Sequence, residues 1–220
     1  MIQRPIYINQ LLKFKDVEII KILAGIRRCG KSTVLDMYKD ILISEYNVSN
    51  DNIFQKKYTA KELPDCYNAD DMYKDIKAAV SGKGHCYLLL DEVQEVDGWE
   101  KVVNSLFESF DVDIYITGSN SKLLSGEIST YLSGRYVQIQ VFPFSLAEAK
   151  QQCIENGTYT SDEKLFAEYL KYGGFPQRFF LPDDHSIVTY LDDLYEAIVV
   201  RDIMLRHNIR EQTALRNVLA

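Results

Sequence analysis

A run of five consecutive apolar residues, Cys-Tyr-Leu-Leu-Leu at 86–90, places the strongest constraint on how this 220-residue chain can fold. A strand with one solvated face alternates polar and apolar residues, whereas a strand that is apolar at every position is typical of a parallel sheet covered on both faces. Segments 17–24, 112–117 and 136–141 are rich in β-branched residues and are also predicted strands, and 52–54 is a weaker candidate. The sequence therefore predicts a sheet with a fully buried central strand.

Stretches with apolar residues at helical spacing separate these strands. The spacing predicts helices over 31–43, 70–80 and 99–107. Strands that alternate with helices are joined by right-handed crossovers, so that a mostly parallel sheet lies between two layers of helices. The predicted fold class is therefore α/β, with ligands expected at the carboxyl ends of the strands.

The character of the chain changes after Pro143, because every later predicted element is a helix. We expect an α/β core over 1–144 and a helical region, either a lid or the start of a larger helical domain, over 145–220. The chain reaches Ala220 without a Gly or Pro stop signal, which fits either a helix that frays at its end or a fragment of a longer protein. The later predicted helices cover 145–154, 162–172 and 186–207.

The charge and the cysteine content narrow the possible functions. A net charge of −7 argues against a nucleic-acid footprint over the whole surface, although Lys13, Lys15, Lys21, Arg27 and Arg28 form a local basic cluster in the sequence. No apolar run approaches the roughly 18 residues of a membrane span, and the N-terminus lacks an export leader. The four cysteines form no CxxC pair, which favours free thiols in a reducing compartment. We expect a cytoplasmic protein with no membrane partner.

The segment Gly25–Ser32 fits the pattern GxxxxGK[ST] at every defined position and lies between a predicted strand and a predicted helix. Glycines let the backbone curl so that N–H groups point at phosphate oxygens, and the following helix directs its positive end at the same anion. Lys31 would reach the β- and γ-phosphates of a nucleoside triphosphate, and the Ser32 hydroxyl would bind Mg²⁺. The alternative is a chance Gly-Lys turn. The predicted phosphate-binding residues are Gly25, Ile26, Arg27, Arg28, Cys29, Gly30, Lys31, Ser32 and Thr33.

Three side chains within this segment have no part in the minimal phosphate-binding mechanism. Arg27 and Arg28 could contact nucleotide, form ion pairs or lie in solvent. Cys29 lies among backbone amides near Lys31, which favours its thiolate and raises the hypothesis of a redox-sensitive loop. The alternative for Cys29 is a small residue that fills a tight turn.

Two carboxylates, Asp91 and Glu92, follow the apolar run at 86–90 directly. Beside a phosphate loop, Asp91 would hold Mg²⁺ through a water molecule, and Glu92 would act as the general base that activates the attacking water. The pair could instead form a turn or a helix N-cap, since carboxylates are favoured at helix starts. The sequence shows no guanine-reading motif of the type (Asn/Thr)-Lys-x-Asp, which favours ATP over GTP.

Polar residues after the next strand provide two further candidates. Ser119 or Asn120 could hydrogen-bond the γ-phosphate or the attacking water, although both residue types are also common in turns and helix caps. Arg135, just before the last predicted strand, could point at the γ-phosphate bound by a neighbouring subunit, where a planar guanidinium suits the charge that develops during phosphoryl transfer. The alternative for Arg135 is a structural ion pair or a solvated side chain.

Together these residues resemble the AAA+ ATPases, and more narrowly a prokaryotic family of AAA+ proteins known mainly as ATP-binding proteins. The resemblance covers most of residues 1–205, and the phosphate loop and the acidic pair are its most specific parts. The matching segments are 25–32 (GIRRCGKS), 89–94 (LLDEVQ), 116–121 (ITGSNS), 132–135 (LSGR), 142–145 (FPFS) and 173–176 (GGFP).

The resemblance implies a P-loop sheet of strand order 5-1-4-3-2 followed by a helical lid, with ATP and Mg²⁺ as ligands. It gives the phosphate loop and the acidic pair the roles described above. It also implies a first sensor at Ser119 or Asn120, and an arginine finger at Arg135 acting between subunits of a homo-oligomer. Members of the family commonly continue into a winged-helix-like element and a further domain. For Gly173–Pro176 a helix stop and turn is favoured, and for Arg201–Asp202 an ion pair on a helix.

The function expected from these residues is Mg²⁺-dependent hydrolysis of ATP to ADP and phosphate, coupled to rearrangement of an unknown partner, which is a protein client or DNA. Two alternatives stay open at this point. One is a slow nucleotide-gated signalling or binding switch, and the other is a DNA-handling ATPase that would use the local basic cluster. The acidic net charge weighs against DNA handling.

Overall fold

Five parallel strands form one sheet in the structure, a computed structural model that describes residues 2–59, 63–64, 66–119, 132 and 134–200. The strands are β1 (Ile20–Gly25), β2 (Ile53–Lys57), β3 (Cys86–Asp91), β4 (Val112–Ser119) and β5 (Tyr136–Gln140). The helices are α1 (Pro5–Lys13), α2 (Lys31–Ser44), α3 (Ala69–Val80), α4 (Trp99–Ser109), α5 (Leu146–Glu155), α6 (Asp162–Tyr172) and α7 (Asp184–Tyr195). Short 3₁₀ turns cover Asn50–Asn52, Val93–Glu95 and Pro176–Phe180.

The strands lie in the order β2-β3-β4-β1-β5, and each neighbouring pair is parallel. The predicted order 5-1-4-3-2 is therefore confirmed. β3, β4 and β1 occupy the inner positions, and all their residues are buried, whereas the edge strands β2 and β5 are only partly buried. The continuous apolar run at 86–90 thus marks an inner strand, because only such a strand must bury both of its faces.

One face of the sheet packs on α3 and α4. Ile22, Leu88 and Ile114, one from each inner strand, join a single hydrophobic cluster with Ile76 of α3 and Leu106 of α4. Successive side chains of a strand point to opposite faces of the sheet, so every second residue of each inner strand faces this helix layer. The cluster anchors the inner strands and so fixes the positions of their carboxyl ends.

A buried ion pair lies on the opposite face of the sheet. Lys21 of β1 donates to Asp113 Oδ1 of β4, and the two side chains are 0% and 2% exposed. Burial lowers the pKa of Lys21, an effect that the Asp113 carboxylate partly offsets. The Tyr115 hydroxyl donates to Asp113 Oδ2 at 2.8 Å and lies 2.6 Å from the hydroxyl of Tyr38 in α2. Loss of either charged partner would leave an uncompensated buried charge, so the pair has a structural role.

The N-terminal helix α1 was not predicted. It begins with Pro5 and buries Tyr7, Ile8 and Leu11. Both signals are present in the sequence, since proline is favoured at the first helical position and these apolar residues recur at helical spacing. The helix is short and has no side-chain cap at its N-terminus, which weakens the pattern.

The chain divides into two compact units. One comprises Gln3–Gly25 and Gly30–Val141 and therefore holds the whole sheet. The other comprises Met1–Ile2, Ile26–Cys29 and Phe142–Ala220, of which α5, α6 and α7 are described. The division into a core and a helical region at Phe144 stays a prediction.

A close backbone crossing organises the second unit. The Phe144 N–H donates to the Gly174 carbonyl at 2.7 Å, and a Cβ added to Gly174 would lie 2.0 Å from the Phe144 carbonyl oxygen. Only glycine fits a crossing this tight. Arg178 donates through Nε to the Gly173 carbonyl at 2.6 Å, and Gly173 ends α6 with φ 70°. The Gly-Gly-Phe-Pro segment is thus a helix stop followed by a packed turn.

The last described helix, α7, begins after Asp183, whose carboxylate accepts the Ser186 N–H at 2.8 Å. A π-helical turn, Glu196–Val200, follows it. The rest of the predicted helix, together with Arg201–Asp202, lies outside the described residues. Within the described part of the chain, no helix has the length and apolar character required to cross a membrane.

Candidate functional site

The loop between β1 and α2 holds the predicted phosphate-binding residues. β1 ends at Gly25 and α2 begins at Lys31, so Ser32 and Thr33 lie in the first turn of the helix. Gly30 precedes the helix with φ 99°, a left-handed conformation that glycine adopts without strain. The N-terminal N–H groups of α2 therefore lie beside the end of an inner strand, which is a favourable arrangement for an anion.

The middle of the loop, Ile26–Cys29, groups with the second unit. Arg28 has a left-handed backbone with φ 64°, and its guanidinium carbon lies 5.7 Å from the ring centroid of Tyr190 in α7. The structure thus gives Arg28 an aromatic neighbour, while Arg27 is half-buried. The Cys29 thiol is fully buried, which disfavours access by oxidants and weakens the redox hypothesis.

Lys31 and Glu92 approach each other across the ends of β1 and β3. The Lys31 side chain is 3% exposed, and its ammonium donates to the Gly25 carbonyl oxygen at 3.1 Å. The Lys31 Nζ lies 3.7 Å from Glu92 Oε1. The structure therefore brings together the predicted phosphate ligand and the predicted base.

The acidic pair lies where β3 ends. Asp91 is the last residue of the strand and is 4% exposed. Glu92 follows with a left-handed backbone, φ 55°, and precedes the 3₁₀ turn Val93–Glu95 without capping it through its side chain. A non-glycine residue in this conformation is strained by about 1–2 kcal/mol, and strain of this kind is concentrated at functional sites.

Thr117 of β4 joins the two acidic residues and was missed by the sequence analysis. Its hydroxyl donates to Asp91 Oδ1 and accepts the backbone N–H of Glu92 at 3.0 Å. The register aligns Leu90 with Ile116, so the next residue of each strand is a neighbour of the other. The available signal is a polar residue near the end of a predicted inner strand. The sequence analysis assigned a role there only to Ser119 and Asn120.

We expect the Thr117→Val variant to lose about 1–3 kcal/mol of stability. Removal of the fully buried hydroxyl leaves both the Glu92 N–H and an Asp91 oxygen without this partner. Calorimetry should show Tm falling by roughly 2–4 °C for each kcal/mol lost. The Thr117→Ser variant keeps the hydroxyl and should restore most of the loss. Thr189→Val, which removes a hydroxyl that donates to a helix carbonyl on an exposed surface, is the matched control and should change Tm little. Equal Tm values for Thr117→Val and wild type would contradict the bridging role.

The two candidates for the first sensor differ in what the structure shows. Ser119 is the last residue of β4, is 3% exposed and pairs with Gly25 in the sheet register. It therefore lies beside the strand end from which the loop begins. Asn120 is outside the described residues, so the choice between Ser119 and Asn120 stays a prediction.

Arg135 lies at the other end of the sheet from its own phosphate loop. Its carbonyl oxygen accepts the N–H of Ile20, the first residue of β1. Its Nη1 donates to Glu108 Oε1 at 2.7 Å, and about half of its side chain is exposed. The length of β1 separates Arg135 from Gly25 by roughly 17 Å, given a rise of about 3.3 Å per residue. Arg135 therefore cannot serve the loop of its own chain, and a role between subunits stays a prediction.

The oxygen atoms at the site suit Mg²⁺. Asp91 supplies a carboxylate and Ser32 a hydroxyl, which are the hard donors that this cation prefers. Among the described residues, the one ion-pair partner of Asp91 is the half-exposed Lys57, whose Nζ is 4.0 Å from Oδ2. A nearly buried carboxylate with so distant a counter-ion favours a cation. The residues present therefore fit Mg²⁺, and Lys57 is a second neighbour that the sequence analysis missed.

A separate cluster of possible metal ligands lies where β1, β3 and β4 begin, with Asp16 and His85 before their strands and Asp113 within β4. One ligand atom each from Asp16, His85 and Asp113 lies within 4.8 Å of the others. Lys15 already pairs with Asp16, and Lys21 with Asp113, so the carboxylate charges are compensated and we assign no metal.

The ion pairs of Lys15 and Lys21 also weaken the DNA-handling alternative, because the side chains of these two lysines of the local basic cluster are only 14% and 0% exposed.

Comparison with known families identifies the family of the chain. The model of a family described as the AAA domain matches residues 18–150, which include all five strands, the loop and the acidic pair. The chain belongs to the AAA domain family. The predicted resemblance to P-loop AAA-type ATPases is therefore confirmed.

The relatives of this AAA domain chain are longer proteins. An uncharacterized protein of Haemophilus influenzae is 39% identical over 220 residues, which are 100% of the AAA domain chain and 54% of the relative. An uncharacterized protein of Methanocaldococcus jannaschii is 32% identical over 221 residues, which cover 93% of the chain and 48% of the relative. The chain thus spans about half the length of the curated relatives it matches.

Solved structures share the fold of the AAA domain chain. The Walker-type ATPase PABY2304 of Pyrococcus abyssi aligns with a TM-score of 0.58 and 15% identity, over 95% of this chain and 77% of that structure. AMPPCP-bound DnaA from Aquifex aeolicus aligns with a TM-score of 0.53 and 12% identity, over 86% of this chain and 58% of that structure. At identities this low the comparison supports the fold alone.

Proposed function

We propose that the protein binds ATP together with Mg²⁺ and hydrolyses it to ADP and phosphate. The observation that carries the proposal is the 3.7 Å distance between Lys31 Nζ and Glu92 Oε1, at the edge where β1 and β3 end. A cation that can bind a terminal phosphate and a base that can accept a proton from water thus lie close together, as hydrolysis of that phosphate requires. Membership of the AAA domain family supports the same reaction class.

In this proposal the loop residues 25–33 surround the phosphates with backbone N–H groups, and Lys31 binds oxygens of the β- and γ-phosphates. Ser32 and Asp91 hold Mg²⁺, which when bound neutralises charge on the phosphates. Thr117 fixes the Asp91 carboxylate by donating to Oδ1, and the ion-pair partner of Oδ2 among the described residues is Lys57, 4.0 Å away.

The chemical step assigned to Glu92 is proton removal. A water oxygen forms a bond to the γ-phosphorus, and one of the water protons passes to the Glu92 carboxylate. The bond between the γ-phosphorus and the β–γ bridging oxygen breaks, and ADP leaves with its electron pair. Ser119 or Asn120 would hydrogen-bond the γ-phosphate or the water during this step, as proposed from the sequence.

Phosphate release by the purified chain tests the proposal. We expect continuous turnover with ATP and Mg²⁺, and loss of turnover when EDTA removes the metal. A single turnover followed by retained ADP, detected by mass spectrometry of the bound nucleotide, would favour the slow switch instead. Stimulation by added DNA that declines steeply with salt would favour DNA handling. Failure to bind ATP at all would contradict every one of these functions.

We also propose that the core over 1–144 binds nucleotide, that 145–220 forms a lid or the start of a helical region, and that the protein works in the cytoplasm. Hydrolysis would drive rearrangement of an unknown partner, a protein client or DNA. The support for a coupling element beyond this chain is the length of the relatives, about twice that of the matching region.

The arginine-finger proposal for Arg135 makes a separate prediction. Arg135→Ala should lower ATP turnover at least about tenfold if chains associate, since fingers that act between proteins contribute far more than that. The matched variant Glu108→Gln removes the same ion pair but keeps the guanidinium, so its turnover should stay near wild type. Turnover per chain should also rise with protein concentration. Specific activity that is independent of concentration, or equal losses in both variants, would contradict a finger between subunits.

A further inference from the structure

Gln94 forms the closest described contact with the carboxylate proposed as the base. It lies in the 3₁₀ turn that follows Glu92, and its Nε2 donates to Glu92 Oε2. The residue is 7% exposed. Its other polar atom, Oε1, is buried and has no hydrogen-bond partner within the described part of the chain.

This arrangement is unfavourable for stability. A buried acceptor without a partner is destabilising, and an apolar residue of the same volume would avoid that cost. Glu92 adds backbone strain at φ 55°. A turn that combines an orphaned carbonyl with a strained neighbour is not what packing alone would select, and such exceptions call for a functional explanation.

We propose that Gln94 is a positioning residue for Glu92, an inference that rests on the proposed hydrolysis. In the structure the Glu92 carboxylate lies between a cation and a hydrogen-bond donor, with the Lys31 ammonium 3.7 Å from Oε1 and the Gln94 amide donating to Oε2. A triphosphate would draw the Lys31 ammonium to its own oxygens. Gln94 then remains as the donor that orients the carboxylate towards the attacking water.

The amide chemistry suits this task. A glutamine side chain donates a hydrogen bond to a carboxylate without giving up a proton, so it orients the base without competing for the proton that the base must accept. The hydrogen bond to an ionised acceptor is also stronger than one between neutral groups. The Glu92 backbone N–H donates to the Thr117 hydroxyl. Thr117 therefore fixes the main chain of Glu92, and Gln94 fixes its side chain.

The test is the Gln94→Met variant, which keeps the volume and removes the amide. We expect kcat to fall about tenfold to a hundredfold, with the KM for ATP within about twofold of wild type, because a misplaced base affects the chemical step more than binding. Calorimetry should give a Tm equal to or above wild type, since the orphaned acceptor is removed. A purely structural role for Gln94 predicts the reverse, a lower Tm and little change in kcat.

A double-mutant cycle shows whether Gln94 acts through Glu92. In a Glu92→Gln background, adding Gln94→Met should lower kcat by no more than about twofold, since residues that act as a unit are not additive. Gln55→Met is the matched control, because Gln55 donates through Nε2 to the Asp36 carboxylate at 2.6 Å on an exposed surface. Its kcat should equal that of wild type.

The outcomes separate this inference from the function on which it rests. Absence of ATP turnover in the wild type overturns both. Turnover in the wild type with unchanged kcat in Gln94→Met overturns the positioning role alone. An undiminished further loss in the Glu92→Gln background also overturns it, because Gln94 would then act on something other than the base.

Discussion

Replacing Lys31 with alanine is expected to abolish measurable ATP binding. The side chain is nearly buried, and its ammonium is held by the Gly25 carbonyl at the point where β1 ends. Two hydrogen bonds from an ammonium to phosphate oxygens at about 1.5–3 kcal/mol each correspond to a loss of affinity of roughly 10²- to 10⁴-fold. Removal also leaves Glu92 without its cation next to the phosphates, which adds repulsion.

Isothermal titration calorimetry with ATP and Mg²⁺ measures this loss directly. Lys56→Ala is a matched control, since Lys56 pairs with Asp75 on a partly exposed surface and its removal should leave affinity unchanged. Circular dichroism on each variant establishes that it is folded. An affinity of Lys31→Ala within about threefold of wild type would contradict the phosphate-binding role.

Glu92→Gln should keep ATP binding and slow hydrolysis by about 10²- to 10⁴-fold, the usual contribution of a general base. The substitution preserves the size of the side chain and leaves the backbone N–H free to donate to Thr117. A carboxamide cannot accept the proton of the attacking water, so only the chemical step is affected. Bound ATP should therefore persist long enough for mass spectrometry to detect it in the purified complex.

The control for this variant is Asp97→Asn, which neutralises an exposed acid a few residues further along the same segment. Its turnover should match wild type, because the change in net charge is the same and only the position differs. Equal turnover in Glu92→Gln and Asp97→Asn would remove Glu92 from the chemistry and leave the loop as a binding site only.

The inner strands could be predicted because their signal is local. Each is a short run of apolar residues with helical spacing on either side, so the pattern indicates both the element and its burial. The phosphate loop is also local, since every position of its pattern lies within Gly25–Ser32. The strand order, in contrast, was implied by the family resemblance, because apolar spacing alone does not specify which strands pair.

The contacts of Thr117 and Gln94 could not be read from the sequence. Thr117 looks like an ordinary β-branched strand residue until the register places it beside Asp91. Gln94 contacts Glu92 at a turn in which the backbone of Glu92 is left-handed. The Thr117 contact depends on the register with another strand, and the Gln94 contact involves an uncommon dihedral angle at Glu92. The spacing of apolar residues predicts neither the register nor the dihedral angle.

Charged residues were the other source of error. Lys21 was counted in a local basic cluster, and the structure buries it against Asp113, more than ninety residues away in the sequence. The sequence showed a lysine in a β-branched segment, which signals either an exposed strand face or a buried pair. Only the position of the partner distinguishes the two.

The strand order has one consequence for the spacing of the candidate site. β4 is the single strand between β1, which leads into the loop, and β3, which ends in the acidic pair. Neighbouring strands lie about 4.8 Å apart, so main-chain hydrogen bonding sets the ends of β1 and β3 about 10 Å apart. Core substitutions should alter the melting temperature more than this spacing, whereas a bulge inserted into β4 would disturb the alignment of the two strand ends. Proteins with few identical residues can therefore keep the same spacing, provided that they keep the same ladder of backbone hydrogen bonds.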